Sequence, residues 1–76
     1  MRSAQDQERL LDIAHQNKDK AIEVICGSQL LDEDDINDCI EVVKHNDFEA
    51  YAYLDTIVRD HLMDILSNTF KGQEDK

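Results

Sequence analysis

Apolar residues recur along this chain at the three- and four-residue steps of an α-helix, in blocks separated by polar punctuation. In the first block Leu10, Leu11, Ile13 and Ala14 form one apolar face, and Ala21, Ile22, Val24 and Ile25 resume it after the polar run His15–Lys20. Leu11, Ala14, Lys18, Ala21 and Ile25 follow at alternating three- and four-residue steps. That spacing permits one helix over residues 4–26, or two helices broken near Asn17. Ser3, with Asp6 three positions on, stands where a capping box opens a helix. Gly27 suits the left-handed residue that often closes one.

The second block begins inside "LDEDDINDC", Leu31–Cys39, in which five of nine residues are acids. Asp32 is the natural N-cap, and Glu33, Asp34 and Asp35 fall in the first turn, where free backbone amides and the helix dipole favour negative charge. Behind them Ile36, Cys39, Ile40 and Val43 make a stripe at i, i+3, i+4 and i+7. Asn46 or Asp47 ends this helix, and Asp47 caps a last one over residues 48–70. There Tyr51, Leu54, Val58, Leu62 and Ile65, widened by Ile57 and Leu66, face the core, Asp55 and Arg59 form an i, i+4 pair, and Gly72 is the stop. With no proline and two glycines, the chain lacks the turn residues a β fold needs. The pattern predicts an all-α protein, a small antiparallel bundle of three to four helices in a single domain over residues 1–76, with residues 1–3 and 72–76 disordered.

Charge changes the picture more than composition does. The net charge is −10. Residues 1–31 carry five acids against four bases, residues 32–64 carry eleven acids against Lys44 and Arg59, a net of −9, and residues 65–76 are neutral. Direct binding to nucleic acid or to an anionic membrane requires a basic patch, so neither is expected; a basic protein surface is the partner this field suits. The polar start "MRSAQDQERLL" has no apolar run that could direct export, which points to the cytoplasm and to reduced thiols at Cys26 and Cys39, each read as a small buried hydrophobe.

The candidate chemistry is sparse. A calcium loop started at Asp32 fails where it needs Ile36, Asn37 and Val43 to be an oxygen ligand, a glycine and a glutamate. Asp12 with His15, Glu41 with His45 and His61 with Asp64 are helical neighbours read as surface hydrogen bonds; there is no Glu-x-x-His, His-Glu-x-x-His or Cys-x-x-Cys motif. No metal, cofactor or catalytic residue is therefore expected, and the chain reads as a non-enzyme.

What remains is surface. Asp34, Asp35, Asp38, Glu41, Asp60 and Asp64 extend the negative field over two successive helices, whose outer faces would merge in an antiparallel hairpin. Tyr53 lies about 200° from the Tyr51 core face, at ~100° per residue, and with Met63 is read as partly exposed; these eight residues form the expected partner-binding set. Val42 and Phe70 also lie off the main stripes, and a chain of 76 residues has a marginal core, so a homodimer is expected. The function expected is a small acidic regulator or inhibitor of bacterial or phage type. It would engage a basic nucleic-acid-binding protein, nuclease or toxin, in the sharper form by imitating nucleic-acid charge. The alternative is a structural homodimer or assembly subunit whose charge serves only solubility.

Overall fold

The computed structural model describes residues 3–74, which hold six helical segments. They are α1 (Ala4–Gln16), α2 (Lys18–Cys26), α3 (Glu33–His45), α4 (Phe48–Ala52), α5 (Thr56–Thr69) and the single turn α6 (Lys71–Glu74). No strand occurs among the described residues, and the protein is all-α. The segments outnumber the three or four expected because the chain breaks at Asn17, one of the two alternatives, and again within residues 48–70, and because the turn α6 follows.

The first division is at Asn17. Ser3 opens α1 by accepting from the Asp6 amide at 3.2 Å, as the cap pattern predicts. Asn17 closes it: its backbone leaves the helical region (φ −121°, ψ 43°) and its side-chain amide donates to the Ile13 carbonyl at 2.9 Å. An asparagine side chain that competes for backbone partners is a recognised way to interrupt a helix. The Ala21 amide then donates to the Asn17 carbonyl at 3.0 Å, so α2 restarts at once.

The second division corrects the expected helix over residues 48–70. After the five-residue α4 the chain turns through Tyr53 and Leu54, whose amides donate to Ala50 and Tyr51 at 3.1 Å, and Asp55 becomes the N-cap of α5. With Asp55 at a cap, Arg59 reaches back to the Thr56 hydroxyl at 3.1 Å in place of the expected Asp55 pair.

The end of α2 also differs from expectation, whereas α3 ends at Asn46 as expected. Gly27 is right-handed (φ −83°, ψ −4°), so its freedom to be left-handed is unused. The left-handed residue is Asn46 (φ 50°, ψ 44°). Its amide donates to Val43 and the Asp47 amide to Val42, the paired bonds of a Schellman ending. At the chain ends, Ser3 is ordered as a cap and Gly72 lies within α6; the expected disorder of residues 1–2 and 75–76 falls outside the described residues.

The core joins Leu10, Leu11 and Ala14 of α1, Ala21 and Ile25 of α2, Cys39, Val42 and Val43 of α3, Tyr51 of α4, and Val58, Leu62, Met63 and Leu66 of α5, closed by Leu31 and Phe70. The Phe48 ring stacks on Tyr51 at 5.4 Å. Helices α3 and α5 each pack principally on α1 and α2 rather than on each other, and α4 packs on α3. The Cα radius of gyration is 10.9 Å, against about 11 Å for a well-packed chain of this length. His15 ties α1 to α3: its Nδ1 donates to the Val43 carbonyl at 2.9 Å, where a surface bond to Asp12 was expected. Asp12 instead accepts from Gln16 at 3.0 Å and from Asn46 at 3.4 Å.

Candidate functional site

The acidic run begins at the start of α3. Asp32 occupies the N-cap, but its side chain makes no capping hydrogen bond; only its carbonyl engages, accepting from the Ile36 amide at 2.8 Å. The carboxylates of Asp32, Glu33 and Asp34 are exposed and Asp35 is half-buried. They are held there by the helix dipole rather than by a closed cap.

Further along α3, Asp38 and Glu41 sit three residues apart on one face and are exposed. Their rim borders a cleft of about 340 Å³ between α3 and α4, lined also by Val42, Ala50, Tyr53 and Leu54. The elements place these residues for local reasons. The Schellman ending at Asn46 reverses the chain, the Asp47 side chain caps α4 by accepting from the Ala50 amide at 3.0 Å, and α4 lies back on α3. Tyr53, at the α4 C-terminus, is 84 % exposed. Glu41 also lies 3.6 Å from Nε2 of His45, both side chains being exposed.

The structure brings three of the eight expected partner-binding residues, Asp38, Glu41 and Tyr53, to this one cleft. Asp60 lines a different one, with Gln7, Tyr51, Thr56 and Arg59, and Asp64 is exposed on α5. Because α3 and α5 pack mainly on α1 and α2, the hairpin in which their outer faces would merge is not how these helices meet. Met63 is corrected outright: at 3 % exposure it is core. Val42 (2 %) and Phe70 (4 %) are core as well, which removes three of the four apolar residues on which the dimer expectation stood. Among the described residues the large apolar ones that remain exposed are Leu30, Tyr53 and Ile57, the last expected in the core. Ala50 and Leu54 are cleft residues that pattern reading assigned no surface role; the available signal was the Asp47 cap, which starts a new helix beside the acidic one.

The cysteines separate. Cys39 is buried, and burial, then the negative charges of Asp35 and Asp38, push its thiol from 9.0 up to about 12. Cys26 is exposed, against the expectation that both are buried. Among the described residues no three His, Cys, Asp or Glu side chains are placed to share a metal ion, and no helix is long and apolar enough to cross a membrane. Comparison with protein-family models, with curated proteins and with solved structures gave no match to this chain.

Proposed function

We propose that this chain is a small non-enzymatic regulator or inhibitor that binds a basic surface of another protein. The observation that carries the reading is the concentration of charge: residues 32–64 hold eleven acids and two bases. Two of those acids edge a cleft whose other walls are apolar or aromatic. A solvated face has no need of an apolar cleft, whereas a protein interface combines aromatic contact with a polar rim. Attraction over a field of this sign steers a cationic surface and raises the on-rate. In its sharper form the acidic surface occupies the site at which a nucleic-acid-binding protein, nuclease or toxin holds phosphates.

The structural reading, a homodimer or assembly subunit, has Leu30, Tyr53 and Ile57 as the large exposed apolar residues among those described. Capture from a bacterial lysate at low and at high salt separates the two. The regulator reading expects one basic protein to be retained at low salt and released at high salt. It also expects capture to be lost with the quadruple variant Asp38→Asn, Glu41→Gln, Asp60→Asn, Asp64→Asn. Self-association unchanged by salt and by that variant, with no basic protein retained, supports the structural reading instead.

A further inference from the structure

The cleft between α3 and α4 has an apolar floor of Val42, Ala50 and Leu54, the exposed Tyr53 beside it, and the carboxylates of Asp38 and Glu41 along its α3 rim. We infer that it is a socket for one arginine side chain projecting from the partner; this rests on the reading of the partner as a basic protein and names what that protein inserts. Each part of an arginine finds its counterpart. The methylene stem lies along the apolar floor. The guanidinium plane stacks on the tyrosine ring, an attraction that favours arginine over the more strongly hydrated lysine ammonium. Its fork of donors meets the two rim carboxylates, which a charge-assisted pair recognises with defined geometry. Glu41 exchanges its exposed contact with His45, at 3.6 Å, for the incoming cation.

Size and charge argue against other occupants. At about 340 Å³ the cleft is near the small end of the 300–1,000 Å³ typical of ligand sites, so it accepts a side chain rather than a helix. An acidic segment is repelled, and an uncharged apolar one covers Asp38 and Glu41 without pairing them, which is unfavourable. A second copy of this chain, related by a two-fold axis, sets the Asp38–Glu41 rim against itself on molecules of charge −10. The socket is an anchor within a larger contact, because a standard interface takes about 800 Å² per partner, roughly a sixth of the 5040 Å² surface.

The test is a titration of the ¹⁵N-labelled protein at low salt, followed by amide shifts, with the capped peptide Gly-Ser-Arg-Ser-Gly and with matched peptides carrying lysine, citrulline or glutamate in place of the arginine. The arginine peptide is expected to shift the amides of Val42, Ala50, Tyr53 and Leu54 saturably, the lysine peptide more weakly, and the other two not at all. Tyr53→Ala should weaken binding about two- to fivefold, the loss of one exposed cation–π contact, while Tyr53→Phe retains it. Asp38→Asn with Glu41→Gln should weaken it about tenfold, two exposed ion pairs together. Tyr53 is exposed, so amides elsewhere should stay in place in its variants and report an intact fold. Shifts spread over Asp32–Asp35 and indifferent to Tyr53→Ala overturn the socket and leave the acidic-surface reading standing. Equal binding of the lysine peptide overturns the arginine assignment. Concentration-dependent shifts at the cleft without any peptide give it to a second copy. No shift with either cationic peptide overturns the socket, and the basic-partner reading then stands or falls on the salt-dependent capture alone.

Discussion

Asp32 and Asp47 each stand at the start of a helix, and only Asp47 closes its cap, accepting from the Ala50 amide at 3.0 Å. Asp47→Ala should therefore cost about 1 kcal/mol, the usual value of a capping bond. Asp32→Ala loses only a dipole interaction of a few tenths of a kcal/mol, partly offset by relief of repulsion from Glu33, Asp34 and Asp35. Denaturant unfolding of the two variants measures the difference; equal losses contradict it. Cys39 gives a pH dependence. Its thiol keeps its proton in the folded chain up to about 12 and in the unfolded chain only to about 9.0. This contribution to stability is complete below pH 9.0 and is lost as pH rises toward 12, by up to about 1.4 kcal/mol per pH unit. Unfolding of wild type and Cys39→Ala across that window should show the gap between them shrinking; a constant gap rules the effect out. The burial of Cys39 was legible because it falls on the Ile36–Val43 stripe. The exposure of Cys26 was equally readable, since it lies one residue, about 100°, off the stripe that ends at Ile25.

Gly27 and Asn46 have exchanged the roles that residue type suggests. A methyl group on Gly27 would meet the Glu23 and Val24 carbonyl oxygens at 3.6 and 3.7 Å, ordinary contact at an ordinary right-handed backbone. Gly27→Ala should therefore stabilise the fold by about 0.4–1 kcal/mol, through a less disordered unfolded chain. Asn46 is held left-handed, a conformation that costs a residue with a side chain about 1–2 kcal/mol and that asparagine tolerates. Asn46→Ala should cost about 1 kcal/mol and Asn46→Gly far less. Thermal unfolding decides both, and destabilisation by Gly27→Ala contradicts the geometry. Element type and the α3 boundaries were legible because cap residue, apolar stripe and stop all agree there. The break at Tyr53–Asp55 was not. Tyr51, Leu54 and Val58 keep helical spacing whether the backbone runs straight or turns, and no glycine or proline marks the turn.

Across the whole molecule the legible feature was charge, and its spatial arrangement was not. Which acids share a surface depends on how helices pack, and α3 and α5 meet α1 and α2 rather than each other. The same packing buries Val42, Met63 and Phe70, and leaves Tyr53 exposed beside Asp38 and Glu41 at the α3–α4 cleft. Asp38, Glu41, Asp60 and Asp64 are exposed and stand at no helix cap. Neutralising all four should change folding stability by no more than about 0.5 kcal/mol, or raise it by relieving self-repulsion. The most direct measurement of the central claim is the association rate with the captured basic protein as a function of ionic strength, for wild type and for this quadruple variant, with thermal stability measured on the same samples. A wild-type rate that falls as salt rises is expected, with a variant equally stable but slower to associate and less steeply dependent on salt, since seven acids still face two bases over residues 32–64. Equal rates at physiological salt would contradict it.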